Sequence, residues 1–180
     1  AMAATLRQAA EHLSPYRNIM TYSRSATVMR ALQHMAEGHT SFRVLCSESR
    51  PGLEGQQLAF ELASAGIKVT LGIDMALFGW LDDADIVVVG ADTVSTAGIV
   101  NKVGTRQLLW AAQELEIPRV VVCTSIKFLP ESYVATQGMR EGDPEEIMPG
   151  TENVTVRNPY FESSPLDHVS FLITEEGRLE

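Results

Sequence analysis

A chain of 180 residues, 45% hydrophobic and 21% charged, has the size and composition of one globular domain with a sizeable core. Its 14 basic and 23 acidic residues leave a net charge of -9. That surface repels nucleic-acid phosphates and anionic lipid, so neither direct nucleic-acid contact nor a membrane partner is expected.

Strand and helix signals alternate along the chain. Ala3 to Leu13 reads as a helix stopped before Pro15, and its Arg7, Glu11 and His12 interrupt any apolar leader. Ile19 to Tyr22 is a short apolar strand. Val28, Ala31, Leu32, Met35 and Ala36 then mark one face of an amphipathic helix closed by Gly38. Phe42 to Cys46 is a second strand, followed by a helix with the stripe Leu58, Leu62 and Ala65 that ends at Gly66. Ile67 to Leu71 is a third strand, Met75 to Leu81 a short helix, and Ile86 to Val89 a fourth strand. A helix opening near Asn101 carries Val103, Leu108, Ala111, Ala112 and Leu115 inward, and Pro118 precedes a fifth strand, Val120 to Cys123. From Pro130 to Gly150 the chain is rich in Gly (Gly138, Gly142), Pro and acidic residues, a loop whose length suits a lid, a partner-binding segment or a mobile excursion. Val154 to Val156 and Val169 to Ile173 read as final short strands. These strands are continuous apolar runs, as expected of a mostly parallel sheet with helices on both faces: a three-layer, Rossmann-like α/β domain. Cys46 and Cys123 lie in such runs without disulfide or metal spacing, consistent with buried thiols in a reducing cytoplasm. His12, His34, His39 and His168 are scattered, and neither a metal site nor a cofactor is expected.

Parallel strands end on one side of their sheet, so the residues leaving them share a rim. These are Ser23-Arg24-Ser25, Ser47 to Arg50, Asp74, Gly90-Ala91-Asp92, and Thr124-Ser125 with Lys127. Basic groups, hydroxyls and helix N-termini suit a phosphorylated small molecule, and a carboxylate such as Asp92 suits a sugar hydroxyl or a proton transfer. Structural roles compete at each position. Ser23, Ser25, Ser47 and Asp74 have the chemistry of helix N-caps, and Arg50 that of an ion-pair partner for Glu48 or Glu54. Lys102, placed in a first helical turn, opposes the helix dipole, which a ligand's negative charge would explain. Neither GxGxxG, GxxxxGK[ST] nor GxSxG occurs, which argues against nicotinamide, P-loop and nucleophile-elbow chemistry.

Gly90-Ala91-Asp92 followed by Gly98-Ile99-Val100-Asn101-Lys102-Val103-Gly104-Thr105 resembles the signature of a family with three branches. They are the alpha, beta and delta subunits of translation initiation factor 2B, methylthioribose-1-phosphate isomerase, and ribose-1,5-bisphosphate isomerase. Glu48-Ser49-Arg50-Pro51 with Gly55, Met20 to Ser25 with Thr27-Val28, and Asn158, Phe161-Glu162 and Pro165 resemble further family segments in family order. The resemblance implies Asp92 as an acid–base group. It implies Arg24, Ser25, Arg50, Gly90, Asn101, Lys102 and Lys127 as ligand-binding residues. The isomerases' catalytic cysteine falls at Ser23, and the motif's Asn-Gly is Ala97-Gly98 here. Residues 1–14 would be the remnant of the family's N-terminal helical domain and 15–180 its Rossmann-like domain, in either a fragment or a reduced protein.

Two functions follow as expectations. The first is a regulatory, initiation factor 2B subunit-like domain that binds a phosphorylated sugar or nucleotide. The second is an aldose–ketose sugar-phosphate isomerase using Asp92. The resemblance also implies a homodimer or pairing with related subunits; Trp80, Trp110, Tyr160 and Phe161 suit either such an interface or the core.

Overall fold

The computed structural model describes residues 1–38, 41–131 and 141–180; His39 and Gly138, with part of the long loop, lie outside the described residues. The helices are α1 (Met2–Leu13), α2 (Ala26–Glu37), α3 (Glu54–Ser64), α4 (Ala76–Gly79) and α5 (Thr105–Glu114). The strands are β1 (Asn18–Met20), β2 (Arg43–Ser47), β3 (Lys68–Gly72), β4 (Ile86–Val89), β5 (Thr93–Ser95), β6 (Gly98–Lys102), β7 (Arg119–Val122), β8 (Phe161–Ser164), β9 (Phe171–Thr174) and β10 (Gly177–Leu179).

Alternation along β4 explains the layering. Ile86 and Val88 join one apolar cluster with α1, α2 and α3, while Val87 and Val89 join another with α4 and α5. Successive side chains of a strand point to opposite faces, so a strand covered on both must be apolar throughout. All four are fully buried, each contributing about 1.5–3 kcal/mol relative to exposure. Val120 and Val122 against Val121 in β7, and Val44 and Cys46 against Leu45 in β2, divide in the same way. The main sheet runs β10-β9-β7-β4-β1-β2-β3, parallel except for the β10 hairpin. The protein is therefore a three-layer α/β domain with a mostly parallel sheet. Helix α1 packs on α2 and β9, with Ala9 and Leu13 in the core.

Several elements depart from the sequence expectations. β3 is an edge strand and largely exposed, so it is not covered on both faces. Ala65 caps α3 in solvent, and Leu115 is 48% exposed at the end of α5. Val154 to Val156 has no sheet partner and forms no strand. Most important for function, Gly98 to Lys102 does not open a helix. It is β6, the centre of a separate antiparallel sheet in the order β5-β6-β8, and α5 begins only at Thr105.

Candidate functional site: a cleft at the strand-order switch

The sheet order reverses between β1 and β4. From β1 the chain builds outward through β2 and β3, and from β4 through β7 and β9 in the opposite direction. Loops leaving the two central strands diverge there and open a crevice beyond their carboxyl ends. Gly90, leaving β4, lies so close to the β1–α2 turn that a Cβ would sit 2.4 Å from Ser25 Oγ. Only glycine permits that approach. Ser25 itself caps α2, its Oγ accepting from the Val28 amide at 3.3 Å. Ser23 holds a left-handed backbone (φ 62°), and its amide donates to Ser49 Oγ at 3.0 Å. Backbone strain of this kind persists only where surrounding contacts over-determine it.

The crevice is a cleft of about 470 Å³. Ser23, Arg24 and Ser25 from the β1 exit, Asp92 from the β4 exit, Asn101 and Lys102 from β6, and Lys127 after β7 all line it. Gly90 stands behind Ser25 rather than on the lining. Tyr160 and Phe161 close one side, and Glu54, the first residue of α3, contributes a second carboxylate.

Lys102 dominates the electrostatics. Its residue is 3% exposed, and its Nζ lies 2.5 Å from Glu54 Oε1 and 4.9 Å from the centre of the Tyr160 ring. The ion pair with Glu54 is the polar contact of this ammonium among the described residues, and it leaves donors of the ammonium free towards the cleft. Ser23 Oγ donates to the same Glu54 oxygen at 3.2 Å. Asn101 is nearly buried and donates from Nδ2 to Thr105 Oγ1 at 3.2 Å. The Asp92 carboxyl is solvent-exposed at the cleft mouth, yet its pKa is raised. The cause is partial desolvation by the surrounding protein, with Lys127 pulling the other way.

Three expected roles change. Lys102 is a strand residue and opposes no helix dipole. The N-terminus of α5 carries an internal anion instead: Glu162 accepts from the Gly104 amide at 2.7 Å and the Arg106 amide at 2.9 Å. Gly104 permits this turn with φ 101°, where Tyr22 crosses to donate its hydroxyl to Val103 O at 2.7 Å. Arg50 faces away from the cleft. The Asp74 carboxylate holds Ser47 Oγ and the amides of Ser49 and Arg50 at 2.7–2.8 Å, so it staples the turn after β2 rather than capping the helix after Met75. The exposed Arg50 side chain then lines a neighbouring groove with Met75 and Phe78. It pairs with neither Glu48 nor Glu54. Arg24 remains in the cleft wall, its guanidinium bound at 2.8 and 2.9 Å to both oxygens of Glu61.

Local spacing offers Glu54 only as a partner for Arg50. Its position at the carboxyl end of β2, on the same rim, was the available signal. Asn158 and Glu162 serve the frame: Asn158 Nδ2 donates at 2.8 Å to both Asp143 O and Glu146 Oε2, tying the segment after Glu141 beside the cleft. Tyr160 donates its hydroxyl to Glu146, which raises the pKa of the phenol to about 12. Cys46 and Cys123 are free buried thiols outside the cleft lining, with pKa values pushed up to about 12 and about 11 by burial. Among the described residues no cluster of His, Cys, Asp or Glu could hold a metal ion, and no helix is long and apolar enough to cross a membrane.

Comparison with known proteins places this geometry. Ribose 1,5-bisphosphate isomerase of Archaeoglobus fulgidus is 35% identical over 168 residues, 89% of this chain and 53% of that protein. The solved structure of translation initiation factor eIF-2B from Pyrococcus horikoshii OT3 superposes with a TM-score of 0.88 at 32% identity, covering 99% of this chain and 64% of that one. That of 5-methylthioribose 1-phosphate isomerase from the same organism gives 0.86 at 26% identity, covering 97% and 54%. The chain spans about half the length of the curated relatives it matches. The model of the Initiation factor 2 subunit family matches residues 1–180, and the chain belongs to that family.

Proposed function

We propose that the cleft binds a phosphorylated pentose and that the protein is an aldose–ketose isomerase of the ribose 1,5-bisphosphate type. The observation that carries this reading is the buried Lys102 ammonium at the cleft wall, whose polar contact among the described residues is the ion pair with Glu54, which leaves donors to spare for a ligand. A phosphate oxygen is the natural partner for such a group. Asn101 and Lys127 extend the polar lining, and Asp92 supplies a carboxyl whose raised pKa suits proton donation to a sugar oxygen. The names of relatives such as ribose 1,5-bisphosphate isomerase support the same chemistry. Association with a second copy or a related subunit belongs to this proposal, and light scattering across a concentration series tests it.

Ser23 favours a second reading. A serine hydroxyl is a poor proton donor beside a thiol, so a domain that binds the same ligand for regulation, as an initiation factor 2B subunit would, fits that residue. Phosphorus NMR of ribose 1,5-bisphosphate incubated with the protein separates the two. Appearance of the ketose isomer, slowed by Asp92→Asn, supports the isomerase. Saturable binding without conversion supports the regulatory domain, and no binding of any phosphorylated pentose refutes both.

A further inference from the structure

Isomerisation needs two proton-transfer groups, and Asp92 is one. We infer that Glu54 is the other: its carboxylate takes the carbon-bound proton of the phosphorylated aldose and returns it to the neighbouring carbon. The assignment rests on the isomerase reading of the cleft.

Three observations meet at this residue. Glu54 lines the same cleft as Asp92 but comes from a different strand exit, so the two carboxyls reach it on separate elements. Its Oε1 is oriented by two groups, Lys102 Nζ at 2.5 Å and Ser23 Oγ at 3.2 Å. The side chain is 27% exposed, enough to meet a ligand and buried enough to be held. When a ligand phosphate takes the Lys102 ammonium, Oε1 keeps the Ser23 hydroxyl and regains a lone pair. Ser23 then acts as the positioning residue for a carboxylate rather than as an acid. The two carboxyls also sit differently: Glu54 is held in an ion pair with Lys102, whereas Asp92 is exposed on the rim.

The chemistry balances. With phosphate on O1, the sugar ring opens only by breaking its C1–O4 bond. Asp92 gives its proton to O4 as that bond breaks. Glu54 takes the C2 proton, and the electron pair of the C2–H bond becomes the C1=C2 bond of an enol phosphate. Glu54 then returns the proton to C1 while O2 gives its proton to Asp92, forming the C2 carbonyl. Phosphate stays on O1, both carboxyls return to their starting states, and no oxidant or reductant is consumed.

The test is turnover of ribose 1,5-bisphosphate by the full chain in deuterium oxide, with kcat, KM and deuterium at C1 of the ketose as readouts. Glu54→Gln is expected to lower kcat by about 10²–10⁴-fold, the usual worth of a general base, without raising KM. Glu54→Asp, which keeps the charge and withdraws it by one methylene, is expected to fold with an unchanged far-ultraviolet circular dichroism spectrum and to lose roughly 10–100-fold in kcat. Retention of kcat within about 3-fold in either variant, or a loss confined to KM, reduces Glu54 to a counterion of Lys102 and overturns the assignment alone. No turnover by the wild type with any phosphorylated pentose overturns the isomerase reading and this assignment together.

Discussion

Replacing Lys102 by Met separates the stability of the cleft from its ligand binding. The side chain is 4% exposed, and its ammonium faces Glu54 at 2.5 Å and the Tyr160 ring at 4.9 Å. Burying an ammonium costs desolvation that an ion pair only partly offsets, and an apolar side chain of similar length avoids that cost. The change leaves Glu54 without its ammonium. Because that side chain is 27% exposed and keeps the Ser23 hydroxyl, water solvates it. The net loss should therefore be about 1–2 kcal/mol, below the 3–5 kcal/mol of a fully buried charge stripped of its partner. Ligand binding should respond more strongly. A charge-assisted hydrogen bond to phosphate contributes about 1.5–3 kcal/mol, which at about 1.4 kcal/mol per decade weakens binding roughly 10- to 150-fold. Calorimetric titration with a phosphorylated pentose, beside urea denaturation, reads both quantities. A folded Lys102→Met protein with wild-type affinity would refute the reasoning.

Gly90→Ala places a Cβ 2.4 Å from Ser25 Oγ and 2.5 Å from Ser25 Cβ. The overpacking should cost about 1–3 kcal/mol, or roughly 3–10 °C in Tm, and an unchanged melt would show that the β1 and β4 exits are not locked together. Glu162→Gln weakens the cap of α5, which holds two amides at 2.7 and 2.9 Å; a thermal melt should show a loss of about 0.5–2 kcal/mol. Glu175 accepts from Ser125 Oγ and the Ser125 amide, and these bonds lower its pKa from 4.5 to about 2. A depressed pKa means that the folded state favours the ionised form, so this stabilisation is full above the unfolded pKa and is lost as pH falls towards about 2. Glu175→Gln should therefore lower the urea midpoint at neutral pH, with the gap to wild type closing as the solution is acidified through that window. A gap that does not narrow with acid would contradict the role given to Glu175.

The parts of the fold legible beforehand were those written in local periodicity. Ile86 to Val89 announces a strand buried on both faces, and Val28, Ala31, Leu32 and Met35 announce the buried face of α2. The parallel sheet then follows, and with it the rim that holds Ser23, Asp92 and Lys127. The strand β6 was not legible, because half of its pairing is with Phe161 to Ser164 far down the chain and five residues carry no period that distinguishes strand from helix. The strand exit that Arg50 shares with the rim points it to the cleft. The Arg50 side chain instead lines the groove with Met75 and Phe78, on a turn that Asp74 fixes through three bonds set by the register of β2 against β3. Glu54 faced the same limit: whether it meets Arg50 or Lys102 is a property of the folded rim, not of local spacing.

The most direct test of the cleft as a sugar-phosphate site is a crystal structure of the protein with a phosphorylated pentose. The expected result is a phosphate oxygen within hydrogen-bond distance of Lys102 Nζ, the Glu54 carboxylate turned from the ammonium towards the sugar, and the sugar between Glu54 and Asp92. A ligand seated instead in the groove beside Arg50 and Met75, with the Lys102–Glu54 pair intact, would contradict the account.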